Sequence, residues 1–171
     1  NVLVTANQGI AVGMASNICS FNLKEVCDTA IALIENPEHD ILQTLPGPDF
    51  STGAELLFDE NTTREIYSTG RGSFKLRAKW HYVKEGNLIE ITEIPYTTAT
   101  EVIMDKVADL IKAGKIKEIT DMRDETDLGG LKLTIDLTRG AEPEKLMQKL
   151  FRLTPLQDSF PCNFNILIKN I

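Results

Sequence analysis

From Phe74 to Tyr82 the chain alternates: Phe74, Leu76, Ala78, Trp80 and Tyr82 fall on one face of an extended strand, and Lys75, Arg77, Lys79 and His81 on the other. A period of two excludes a helix here. It also demands that one face lie on a core while the other presents a row of cations. A turn around Glu85-Gly86 leads into Leu88-Ile89-Glu90-Ile91-Thr92. A two-residue loop there sets Trp80 opposite Ile91, Tyr82 opposite Ile89 and His81 opposite Glu90, so the faces agree across a hairpin. The segment therefore commits the chain to an antiparallel sheet.

The rest supplies partners for that sheet. Thr98 and Glu101 have capping-box spacing, and Ile103, Val107, Leu110 and Ile111 make one helical stripe that ends at Gly114. Leu131, Leu133, Ile135 and Leu137 then alternate with Lys132, Thr134, Asp136 and Thr138, which predicts a strand. Pro143 suits a first helical position, with Leu146, Leu150 and Leu153 behind it and Pro155 as the stop. The tail from Asn163 to Ile168 alternates weakly and reads as a closing strand. Further upstream, Asn22 and Glu25 open a helix with stripe Leu23, Val26, Cys27, Ala30 and Ile34, halted by Asn36-Pro37. Thr62 and Glu65 open a shorter one ending at Gly70, and Gly47-Pro48-Asp49 marks a turn between them. The pattern predicts an α+β fold: an antiparallel sheet with helices packed on one face (70–171), preceded by a mainly helical N-terminal part (1–69).

The 171 residues suffice for one domain or a large piece of one, and folding should bury about 70% of the unfolded surface. No run of about 18 apolar residues appears, so no membrane partner is expected, nor a secretory leader in Asn1-Val2-Leu3-Val4. The chain reads as soluble and cut from something longer. Cys19, Cys27 and Cys162 are odd in number and form no Cys-x-x-Cys pair, which favours free structural thiols in a reducing cytoplasm. The formal charge of −7 argues against a general nucleic-acid binder. It is uneven, however: residues 1–70 hold two basic and ten acidic side chains, whereas 71–84 holds five basic ones and no carboxylate.

Catalytic constellations are few. His39 and His81 stand in no motif with Ser or Cys and read as solvated, and no Gly-x-Ser-x-Gly or His-Glu-x-x-His occurs. Asp121, Asp124, Glu125 and Asp127 invite a metal reading, but an EF-hand's alternate spacing is missing and Lys132 takes the closing place, so structural use is expected. A small-molecule enzyme built on this cluster would require metal affinity, which is not expected. Gly9-Ile10-Ala11-Val12-Gly13 lacks the Gly-Lys-Ser/Thr of a phosphate loop, and Gly9 to Ala15 reads as a small-residue segment of close backbone packing.

Seven stretches in order make a more specific signature: Asn7-Gln8-Gly9-Ile10-Ala11-Val12-Gly13-Met14-Ala15-Ser16-Asn17, Asn22-Leu23, Gly47-Pro48-Asp49-Phe50-Ser51-Thr52, Thr69-Gly70-Arg71-Gly72, Glu93-Ile94-Pro95-Tyr96, Arg123-Asp124-Glu125-Thr126-Asp127 and Thr154-Pro155-Leu156-Gln157. Over essentially its whole length the chain resembles the A subunit of bacterial type IIA topoisomerases, DNA gyrase or topoisomerase IV, and within it the tower domain. The resemblance implies ATP-dependent cleavage and rejoining of both strands of a duplex while a second duplex passes. It implies an A2B2 assembly, in which a second A subunit joins the partner B subunit that brings Mg2+ and ATP; no cofactor is expected in this fragment. The nucleophilic tyrosine and its preceding arginine belong to a winged helix expected upstream of Asn1. Tyr67, Tyr82 and Tyr96 do not match that motif, so the fragment alone is expected to be inactive.

The same resemblance assigns Ile10 as the wedge that enters a base step and bends the gate duplex, at a cost of a few kcal/mol recovered in wider contact. Gly9 would let backbone approach the minor groove, with Asn7 and Gln8 bonding phosphate or sugar. From the charge pattern alone, Arg71, Lys75, Arg77 and Lys79 are candidates for phosphate contacts on the duplex arms. The rival reading is a non-enzymatic protein-interaction domain that uses the basic sheet face. Two departures stand out. Thr5-Ala6 replace the family's usual Asn-Gly, and Cys19-Ser20-Phe21 replace Pro-Pro-His, as expected of a divergent, topoisomerase IV-like member.

Overall fold

The computed structural model describes residues 1–167. They form an α+β fold of nine strands and four α-helices, in two sheets. The four-stranded sheet comprises β5 (Lys79–Val83), β6 (Leu88–Glu93), β8 (Leu133–Leu137) and β7 (Ile119–Asp124), in that order and antiparallel throughout. Two helices, α3 (Thr100–Lys112) and α4 (Pro143–Leu153), cover one face of it. Ile89, Ile91, Leu133 and Ile135 meet Ile103, Val107, Leu146, Met147 and Leu150 there, all fully buried. The five-stranded sheet runs β1 (Asn7–Ala11), β2 (Met14–Ile18), β9 (Gln157–Asn163), β4 (Arg71–Arg77) and β3 (Glu55–Leu56). It is accompanied by α1 (Leu23–Glu35) and α2 (Glu60–Thr69).

Two compact units result. One holds Asn1–Ser51, Leu56–Lys75 and the stretch from Ser159; the other holds Thr52–Glu55 and Leu76–Asp158. The division runs through β4 and β9 rather than at 69/70. The reason lies at Ala78. The single strand expected over 74–82 is in fact two, β4 and β5, which join different sheets. Ala78 between them is fully buried and donates its N–H to the Leu156 carbonyl at 2.7 Å.

The hairpin register is as expected, with Trp80↔Ile91, His81↔Glu90 and Tyr82↔Ile89 paired. Its loop has four residues outside the strands rather than two, with Asn87 at φ +48°. On this edge strand Tyr82 is partly exposed, its hydroxyl donating to Asn87 Oδ1 at 3.0 Å.

Several helix starts need correction. Asn22 caps α1 as its spacing predicts, accepting from the N–H groups of Lys24 and Glu25. However, Asp59, not Thr62, caps α2, and α3 begins after Ala99 with no side-chain cap. The Thr98 hydroxyl is buried without a partner. Gly70 closes α2 at φ +70°, where a Cβ would be strained.

The stripe of α1 is likewise not a core face. Thr29 is its buried residue, with its hydroxyl 2.7 Å from both the Glu25 carbonyl and Thr44 Oγ1, while Leu23, Cys27, Ala30 and Ile34 are exposed. The closing strand is β9, ending at Asn163 where the expected one began; Ile168 lies outside the described residues. Among the described residues no helix is long and apolar enough to cross a membrane.

Candidate nucleic-acid interface

Residues 7–18 form a hairpin, not the closely packed segment expected from their small side chains. β1 and β2 pair antiparallel from Asn7↔Ile18 to Ala11↔Met14, leaving Val12-Gly13 as the turn. Gly13 sits at φ +80°, the value a type II turn needs at its third residue. Every residue of β1 is exposed, with Ile10 at 84%; Val12 is fully exposed and Met14 nearly half. Asn7, Gly9, Ile10, Met14 and Ser16, with Asn165 and Leu167, line a groove of about 430 Å³. A Cβ added to Gly9 would meet nothing within 4 Å, so packing inside the protein does not require glycine there. The hairpin carries no charge; the first charged side chain in the chain is Lys24.

Below the hairpin lies an aromatic and sulfur-lined core. The divergent loop Cys19-Ser20-Phe21 is buried rather than offered to solvent. Ser20 Oγ donates to the Asp49 carbonyl at 2.6 Å, while Asp49 N–H donates to the Ser20 carbonyl at 2.8 Å. Phe21 stands edge-on to Tyr67 and Phe164, with centroids 6.0 and 6.4 Å away. The hydrogen bond with the Cys162 thiol, followed by burial, pushes the Cys19 thiol far above its usual range, as suits a structural thiol. Cys162 is buried too, whereas Cys27 is exposed on α1; all three are free.

The basic strip does not make one cationic face. Arg71 and Lys75 project from β4, exposed, opposite the buried Phe74 and Leu76. Arg77 is turned inward on its own unit: Nε and one terminal nitrogen donate to Gln157 Oε1 at 2.9 and 2.7 Å, and the guanidinium lies 4.7 Å from the Phe151 ring centroid. Lys79 lies at a register shift and stands 3.7 Å from Glu93.

Further along the same outer face, Glu90 binds both His81 Nε2 at 2.8 Å and Lys132 Nζ at 3.2 Å. His81 is thus paired with a carboxylate rather than simply solvated. His39 also has a partner, its Nε2 lying 3.0 Å from Thr44 Oγ1. Arg123 closes the far edge on Asp136, Asp121 and Glu125. Thr134, between these ion pairs, is buried with its hydroxyl unpartnered. The four-stranded sheet therefore presents an interleaved lattice of both signs, which no period-two count of cations could reveal.

The 121–127 carboxylates serve structure. Arg123 takes Asp121 and Glu125, and Asp127 accepts from Gly129 N–H at 2.7 Å. The hydroxyl and then the backbone N–H of Thr126 hold the Asp124 carboxyl below its usual range. Among the described residues no cluster of three or more His, Cys, Asp or Glu converges as metal ligands would.

The chain that builds this hairpin has counterparts among known proteins over nearly its whole length. The family model for the A subunit of DNA gyrase/topoisomerase IV matches residues 1–171. The chain belongs to that family. It is 41% identical over 98% of its length to the DNA gyrase A subunit of Synechocystis sp. and 42% identical over 98% to that of Metamycoplasma arthritidis. It is 38% identical over 99% to the DNA topoisomerase 4 A subunit of Synechocystis sp.. The chain spans about a fifth of the length of these curated relatives, covering 20%, 19% and 20% of them respectively.

Two side chains that sequence reasoning does not single out are Asn163 and Asn165, whose only signal is a cluster of asparagines flanking strand ends. Their contacts are with the hairpin.

Proposed function

We propose that this chain is the tower portion of a type IIA topoisomerase A subunit, which holds and bends the gate duplex while cleavage is carried out elsewhere in the parent protein. The observation that carries the reading is Ile10: a large aliphatic side chain left 84% exposed on a strand that faces outward along its whole length. Leaving such a side chain in water forgoes about 2 kcal/mol of burial, a cost that contact with unstacked bases would recover. Gly9 supports the same reading, since its lack of a Cβ serves nothing inside the fold and suits a close external approach. Asn7 and Gln8, both exposed, offer amide donors and acceptors to sugar and phosphate.

Arg71, Lys75 and Lys79 are the proposed phosphate contacts for the arms of the bent duplex. Arg77 would join them only by giving up Gln157. Each phosphate neutralised adds about 0.9 to the magnitude of the salt slope. Activity of the whole enzyme requires the tyrosine from a winged helix outside this chain. In this reading a B subunit supplies Mg2+ and ATP to a cytoplasmic A2B2 assembly.

The test uses a short duplex labelled at both ends for energy transfer, bound to the full-length A and B subunits together. Ile10→Ala should lower the bent fraction and strand cleavage together by about tenfold or more, with overall duplex affinity falling less. Unchanged bending overturns the reading. Salt-insensitive capture of a protein partner, with no duplex affinity, would favour the interaction-domain alternative instead.

A further inference from the structure

A wedge works only if its strand cannot give way when pushed against stacked bases. β1 is the outermost strand of its sheet, and β1 and β2 are exposed over most of their length. Among the described residues, β2 meets β9 in register at Asn17↔Asn163. How firmly the hairpin is held against β9 therefore depends on the side chains that cross between them as well.

Side chains add to that pairing: Asn17 Nδ2 donates to the Pro161 carbonyl, and two further amides converge on one residue of β2. Asn163 Nδ2 and Asn165 Nδ2 both donate to the Ala15 carbonyl, at 2.9 and 2.6 Å. Asn165 Nδ2 also donates to Asn163 Oδ1 at 3.1 Å, which fixes the orientation of both amides. Ser16 Oγ returns the contact by donating to the Asn165 carbonyl at 3.1 Å. Ala15 is the cross-strand partner of Ile10.

The geometry points to Asn163 and Asn165 as positioning residues for duplex bending: a two-amide clamp on Ala15 that stiffens the hairpin directly behind Ile10. This rests on the wedge reading of Ile10. Two amides on one carbonyl use both of its lone pairs, so the peptide unit is held against rotation as well as displacement. Strain from the kinked duplex then passes through Ile10 and Ala15 into β9 instead of folding the hairpin back.

The experiment measures the bent fraction of an end-labelled duplex by energy transfer, on the full-length A and B subunits together. The variants are Ile10→Ala, Asn163→Ala with Asn165→Ala, all three together, and Asn165→Gln, which keeps an amide donor. The clamp variant should lose about tenfold in bent fraction on ordinary duplex. It should recover on a duplex with an unpaired insertion at its centre, which is already kinked. Asn165→Gln should retain most of the bending. In the Ile10→Ala background the clamp substitutions should add nothing, because both act on one step.

A clamp variant that bends ordinary duplex normally, while Ile10→Ala does not, overturns the clamp alone. So does an equal deficit on pre-kinked duplex, or losses that add in the triple variant. If Ile10→Ala itself bends duplex normally, the wedge reading falls and the clamp's role with it.

Discussion

The two units spend apolar side chains differently. The unit built on the four-stranded sheet packs most of its aliphatics between that sheet and helices α3 and α4 in one continuous core, leaving Val102, Ile111 and Leu128 outside it. The unit containing the hairpin has a smaller core of Phe21, Phe50, Ile66, Phe74 and Phe160, and leaves Ile10, Val12, Leu23, Ile31 and Ile34 exposed. Where hydrophobic residues are enclosed they maintain the fold. Where they are left outside, the fold gains little from them. The charges follow the opposite rule: the sealed unit covers its outer sheet face with ion pairs, while the hairpin has no charge at all.

The contrast can be broken by substitution, since each unit has its own probe. Trp80, the sole tryptophan, reports the sealed unit; the buried thiols of Cys19 and Cys162 report the other through their accessibility to a thiol reagent. The largest expected effect is Ile135→Ala, which opens a cavity in the sealed core and should cost about 3 kcal/mol in urea unfolding followed by Trp80 fluorescence. Thr134→Val should act in the opposite direction, stabilising by about 1 kcal/mol, because it replaces an unpartnered buried hydroxyl by a methyl group of the same shape. No gain would mean that the hydroxyl is satisfied by solvent.

Acid should weaken both units. Asp40, held low by Arg64, and Asp59, held low by Thr62, lie in one; Glu118, held low chiefly by the Lys117 N–H, and Asp124 lie in the other. Carboxyls with lowered folded values contribute stability above their ordinary titration range. They lose it as the pH falls from about 4 through those lowered values. Unfolding midpoints should therefore be level near neutrality and drop on acidification by both probes, modestly because the groups are exposed. The smallest effect should be Ile10→Ala, within about 0.5 kcal/mol of the parent by thiol accessibility. A loss as large as that of Ile135→Ala would place Ile10 among the fold's own supports and erase the contrast.

Much of the sealed unit is legible in the sequence. Period-two alternation carries the register of β5 and β6, and Pro143 and Pro155 bracket α4, because those signals are local. What periodicity lacks is any indication of which sheet a strand joins, so the break at Ala78 and the dispersal of Lys75, Arg77 and Lys79 are invisible to it. The cap of α2 is ambiguous because Thr62 and Asp59 are both good capping residues, and only geometry chooses between them. β9 is displaced because Pro161 argues against a strand and Gln157-Asp158-Ser159 is too polar to read as one. The hairpin escapes notice because a strand exposed on all sides has no alternation to display. Its proposed role comes through resemblance, and the proposed clamp through the contacts of Asn163 and Asn165.

No charged side chain precedes Lys24, so the hairpin meets a partner without a cation of its own. A grip made of isoleucine and amides releases no counterions when it forms. Adding salt should peel away the outlying arms of a bound duplex while leaving the tip of the hairpin seated. A footprint taken at rising ionic strength would then shrink inward toward the kink before vanishing.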